Sequence, residues 1–133
     1  MNKFGMTSLS RLVNLHPDLT ALCYDVLVHL DISILCTDRQ KMEQDAAFFS
    51  GKSKAQWLES PHNYLPSLAL DVGEWNPDVY GGIDWKDLKS FKRVSDCFKL
   101  HAEARGIQIE CGIDWPGAWD KPHLQLKHWK DLI

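Results

Sequence analysis

Apolar and polar positions alternate along this chain with two different periods, and the switches between them mark out its elements. Ser8 to Leu15 reads as a short helix. Leu19, Leu22, Cys23, Val26, Leu27 and Leu30 then recur at the spacing of a helix with one apolar face, opened by His16-Pro17, because proline is tolerated in a first turn. Ile32, Ile34 and Cys36 follow with the period of two that marks a strand, which delivers Thr37-Asp38-Arg39 at its end. Met42, Ala46 and Phe49 predict a further helix, stopped by Gly51. Leu68, Leu70 and Val72 alternate with Ala69 and Asp71, so a strand here turns its apolar set to a core and Asp71 to the other face. Asn-Pro, Asp and Gly-Gly signals mark residues 75–82 as a loop. A long helix follows, with Asp84 as its N-cap, Trp85, Leu88, Phe91, Val94, Phe98 and Ala102 as its buried side and Gly106 as its stop. Ile107, Ile109 and Cys111 form the next strand, and His123 to Leu126 the last, with His123 and Gln125 on one face. The pattern predicts an α+β fold, a small antiparallel sheet with helices packed on one side.

Length and composition restrict what such a fold can do. A chain of 133 residues suits one domain spanning 1–133, which at this size buries about two-thirds of its unfolded surface. The net charge of −3 is spread without a basic stripe, which weighs against nucleic acid as a partner. The first residues lack an apolar signal core and no run is long enough to span a bilayer, so synthesis in the cytoplasm and no membrane partner are expected. Cys23, Cys36, Cys97 and Cys111 are far apart in apolar patterns, which predicts buried reduced thiols rather than a zinc knot. His16, His29 and His101 are isolated and read as surface or capping residues.

The chemistry concentrates in two stretches. Ser60-Pro-His-Asn-Tyr-Leu-Pro-Ser-Leu-Ala-Leu-Asp71 supplies an imidazole, His62, on a loop and a carboxylate, Asp71, on a strand. Asp120-Lys-Pro-His123 supplies a second imidazole and a second carboxylate. Two imidazoles and one carboxylate are the inventory of an open catalytic zinc site, in which water takes the fourth position. Asp120 need not touch the same atom. Pro122 disfavours helix at Lys121 and places Asp120 at the mouth of the last strand.

Ser60-x-His62 with Ala69-x-Asp71, and Asp120-x-x-His123-x-x-Leu126, resemble the zinc peptidases of the D-Ala-D-Ala carboxypeptidase (VanY-type) group. Within it the chain is most similar to phage endolysins that cut the peptidoglycan stem between L-Ala and D-Glu. Arg39 with Gln44, Gly51-Lys-Ser53, Ile83-Asp-Trp85 and Gly112-Ile-Asp-Trp115 fall in the order those endolysins show. One departure stands out: two more residues than usual separate His62 from Asp71, and no glycine lies between them.

The resemblance implies a hedgehog/D-Ala-D-Ala peptidase-like fold holding Zn2+ on His62, Asp71 and His123, with Asp120 as general base. It also implies Arg39 as a substrate-side cation and Ser60 as a hydrogen-bonding support; without it, Arg39 could be a solvated cation or the partner of Asp38, and Ser60 could merely start a turn. Tyr64, in the longer loop, reads either as a substrate-side residue or as a packing ring. Gln44 and Ser53 read as structural, and Trp115 and Trp119 as walls of a cleft. The expected partner is the bacterial stem peptide, met by a monomer without a separate wall-binding domain after release from the host cytoplasm. Two other readings compete: a D-Ala-D-Ala carboxypeptidase or dipeptidase, and a zinc-containing binding module without hydrolysis.

Overall fold

The computed structural model describes residues 1–133. Its elements, in chain order, are α1 (Met6–Leu12), α2 (Pro17–Leu27), β1 (Ile32–Cys36), α3 (Lys41–Phe49), β2 (Ala69–Glu74), α4 (Leu88–Arg105), β3 (Ile109–Cys111) and β4 (His123–Leu126). The strands form one antiparallel sheet in the order β1-β2-β4-β3. This is the α+β architecture that the periodicity predicts.

The core lies between the sheet and the pair α2 and α4. Leu19, Leu22 and Val26 meet Val94, Phe98 and Ala102 above Leu70, Val72 and Leu124. Apolar burial on this scale is the main favourable term in folding. Pro17 starts α2, and His16 Nδ1 accepts from the Asp18 N–H at 3.1 Å, a capping role for that histidine. Gly106 ends α4 with a φ of 70°, a left-handed conformation that glycine adopts without a side-chain clash. The exposed side of edge strand β1 is closed by α1: the Ile34 N–H donates to Ser8 Oγ at 3.0 Å, and Arg11 Nη1 donates to the Ile34 carbonyl at 2.7 Å. No helix is long and apolar enough to cross a membrane.

Three expectations change. The N-cap of α4 is Asp87, whose carboxylate accepts from the Ser90 N–H at 3.1 Å, while Asp84 instead closes a turn onto the Lys86 N–H. Trp85 and Leu88 therefore fall outside the buried stripe and are exposed, although Trp85 stacks on Phe91. On α3 the outward face carries Met42, Ala46 and Phe49, and the helix buries Gln44 instead. All four cysteines are free thiols; Cys23 and Cys111 are buried and Cys36 and Cys97 half-buried. Burial pushes the Cys111 thiol up to about 12.

Candidate metal centre

β2 and β4 pair with Asp71 opposite His123, which fixes the relative height of these two side chains on the sheet. His62 arrives from a single 3-10 turn, Pro61–Asn63, lying over the same sheet face. Ser60 caps that turn, its hydroxyl accepting from the His62 N–H at 3.2 Å. Asn63 Oδ1 returns the favour by accepting from the backbone N–H groups of Leu58 and Ser60. The longer connection from His62 to Asp71 is absorbed at Ser67, whose N–H donates to the Asn14 carbonyl and whose own carbonyl accepts from His16. Ser67 thus ties this connection to the α1–α2 junction, and its hydroxyl donates to the Thr37 carbonyl at 3.0 Å.

The three side chains present one atom each to a common point. His62 Nε2 and His123 Nδ1 are 3.2 Å apart, and Asp71 Oδ1 lies 3.4 Å from the first and 3.3 Å from the second. Ligands about 2.0–2.1 Å from a tetrahedral zinc ion are separated by roughly 3.3–3.4 Å, so the triangle has the size that such an ion requires. Its chemistry agrees: Asp71 Oδ1 is buried without a hydrogen-bond partner. A buried carboxylate oxygen left in that condition is costly unless a cation sits beside it.

The far side of each imidazole is already committed. His62 Nδ1 is 2.6 Å from the Thr37 carbonyl, which can only accept, so Nδ1 carries its hydrogen and Nε2 faces the site. His123 Nε2 is 2.9 Å from Gln125 Oε1, and Gln125 Nε2 donates in turn to Glu110 Oε2 at 3.4 Å. This chain of contacts turns His123 Nδ1 toward the site. Burial by itself would lower the pKa of His62, but the charge of the Asp71 carboxylate outweighs it and raises the metal-free ring to about 10. Burial likewise works to raise Asp71, and the two imidazoles more than reverse it, holding its carboxyl far below the usual range.

Asp120 stands beside this triangle rather than in it. Its Oδ2 is 3.8 Å from His123 Nδ1, and its carboxyl is pushed above the usual range by burial, with His123 opposing and the Asp71 charge assisting. A cleft of about 630 Å3 opens over the four residues. Arg39, Ser60, Trp115, Trp119 and Lys54 line it. Its aromatic wall is continuous: Trp115 packs 5.3 Å from the His123 ring and 5.2 Å from Trp119, over which Lys54 Nζ sits at 4.2 Å.

Arg39 is held, not free. Its Nη1 donates to Gln44 Oε1 at 3.0 Å, while Gln44 Nε2 donates to Ser53 Oγ and to the Ala55 carbonyl. The two residues read as structural therefore position the cation, and Asp38 binds Asn14 and Gln40 instead. Tyr64 packs as a ring: its hydroxyl donates to the Leu58 carbonyl and its ring lies 6.0 Å from Trp129. It does not line the cleft. Sequence reasoning did not reach Thr37, which acts through its carbonyl and has no side-chain signature, nor Glu110, which belongs to another strand. Gln125 had a signal, since it shares a strand face with His123.

The comparisons with known proteins agree with this geometry. The family model for phage L-alanyl-D-glutamate peptidase matches residues 1–127. The L-alanyl-D-glutamate peptidase of Escherichia phage T5 is 25% identical over 133 residues, covering 94% of this chain and 89% of that protein. The crystal structure of the Serratia marcescens L-Ala D-Glu endopeptidase ChiX superposes with a TM-score of 0.79 at 25% identity, over 98% of this chain and 94% of its own. With the family model spanning nearly the whole chain and the same fold in a solved endopeptidase, this protein belongs to the phage L-alanyl-D-glutamate peptidase family.

Proposed function

We propose that this chain is a zinc-dependent endolysin that hydrolyses the L-Ala–D-Glu bond of the peptidoglycan stem. The observation that carries the reading is the buried, partnerless Asp71 oxygen facing two imidazole nitrogens at ligand spacing, with Asp120 beside them. Zinc, when held by His62, Asp71 and His123, supplies Lewis acidity and a water whose pKa falls toward about 7.

The protein's own residues supply the rest. Asp120 accepts a proton from the attacking water as the new C–O bond forms. It returns that proton to the departing nitrogen as the C–N bond breaks, leaving an alanine carboxylate and a glutamate amine. Arg39, braced by Gln44, donates to the carbonyl oxygen as negative charge gathers there. Ser60 fixes the turn that presents His62. The enzyme works as a monomer on the cell wall, after release from the cytoplasm in which it is made.

The test is digestion of purified peptidoglycan with mass analysis of the new termini, with and without a chelator. The reading predicts free alanine carboxyl and glutamate amino termini that appear only when metal is present. Release of terminal D-Ala would instead make the chain a carboxypeptidase, and no cleavage by zinc-loaded protein would make it a binding module.

A further inference from the structure

Gly112 follows β3 and opens a short 3-10 turn, Gly112–Asp114. Its backbone is not in the left-handed region, so conformational freedom is not why glycine stands there. Space is. A Cβ at this position would lie 2.0 Å from the Asp120 carbonyl oxygen, 2.9 Å from its carbonyl carbon and 3.1 Å from its Cβ. Backbone atoms cannot rotate out of the way. Ordinary contact begins at 3.4 Å, so the Asp120 carbonyl would have to retreat by about 1.4 Å.

What would move is specific. The same carbonyl accepts from the His123 N–H at 3.0 Å. His123 has other anchors: its place opposite Asp71 in the sheet, the bond from the Val72 N–H to the Pro122 carbonyl at 3.0 Å, and its contact with Gln125. Asp120 precedes Pro122, outside β4, and shares none of these. A methyl group at 112 therefore shifts Asp120 and leaves the ligand in the sheet.

We infer that Gly112 is a positioning residue for the reaction, whose missing side chain seats Asp120 at the height from which it reaches the attacking water. The inference rests on Asp120 acting as the base. A misplacement of about 1 Å costs on the order of 100-fold in rate when a reacting group depends on alignment, and the displacement here is larger.

The experiment is a double-mutant cycle of Gly112→Ala and Asp120→Ala, with kcat, KM and zinc affinity measured for each protein and Gly5→Ala as a control, since a Cβ at Gly5 meets nothing within 4 Å. We expect Gly112→Ala to lose roughly 100-fold or more in kcat, with KM and zinc affinity within a few-fold of wild type. In the Asp120→Ala background the same change should cost nothing further. Wild-type kcat in Gly112→Ala, or an equal loss on top of Asp120→Ala, would overturn the inference. So would a Gly112→Ala protein that fails to fold or to hold zinc, because the glycine would then serve the architecture or the ligand. An active Asp120→Ala protein would instead refute the assignment of the base, a result distinguishable from an active Gly112→Ala beside an inactive Asp120→Ala.

Discussion

Replacing Gln125 with leucine should weaken zinc binding without touching a ligand. Both His123 and Gln125 are buried, with 5% and 9% of their surface exposed, where an unpaired polar group is costly. The change removes the acceptor 2.9 Å from His123 Nε2 and leaves that N–H unsatisfied, at a cost of about 1–3 kcal/mol. At about 1.4 kcal/mol per decade this becomes a loss of roughly 10- to 100-fold, the range found when groups behind metal-binding histidines are removed. Gln125→Glu is the informative companion. A carboxylate is a stronger acceptor for an imidazole N–H, but here it would stand about where Gln125 Nε2 now lies, 3.4 Å from Glu110 Oε2. Like charges at that distance offset the gain, and Glu110→Gln in the same protein should restore it. Competition against a chromophoric zinc chelator reads all four proteins on one scale. Wild-type affinity in Gln125→Leu would refute the claim that this side chain orients His123.

Other consequences can be measured separately. Because the metal-free His62 ring is raised to about 10, it is protonated at neutral pH, and zinc must displace that proton: calorimetry in buffers of different ionisation enthalpy should show about one proton released per zinc near pH 7. By the same sign, the His62–Asp71 pair stabilises the metal-free protein fully only between about 4, below which the depressed Asp71 carboxyl loses its share, and about 6.5, the usual histidine value. That contribution disappears as pH rises through about 10, which thermal unfolding of the metal-free protein against pH would reveal. Arg39→Lys should keep the fold and lose about 3 kcal/mol of transition-state stabilisation, since an ammonium cannot donate to Gln44 and the substrate in the same fork; steady-state kinetics beside circular dichroism would check it. Phe98→Ala, at a fully buried position of α4, should cost about 3–5 kcal/mol in denaturant unfolding.

The sheet and its helices were legible because strand and helix periods are distinct and the core is apolar. So was the cluster that could hold a metal: His62, Asp71 and His123 come together where turn and strand phase place them, and the register of β2 against β4 only completes what alternation suggests. The misjudged features share a cause. Asp84 and Asp87 are equally good caps by residue type, and which one closes the helix depends on where the chain leaves its loop. On α3 the apolar stripe faces outward because the opposite side carries Gln44, whose amide satisfies Arg39, Asn63, Ser53 and Ala55 at once. Hydropathy cannot register a helix that is buried for the sake of hydrogen bonds. Thr37 contributes only its carbonyl, and any residue at that position offers one.

In the proposed enzyme three residues hold a single zinc ion and a fourth uses it. Metal-free wild-type protein should therefore be titrated with zinc while peptide amino groups released from purified peptidoglycan are counted, alongside Asp120→Ala treated identically. Wild-type activity should rise to one equivalent of zinc and no further. Asp120→Ala should bind the same equivalent with a rate lower by about 100- to 10,000-fold. Hydrolysis by the metal-free wild type, or full activity in Asp120→Ala, would contradict this mechanism.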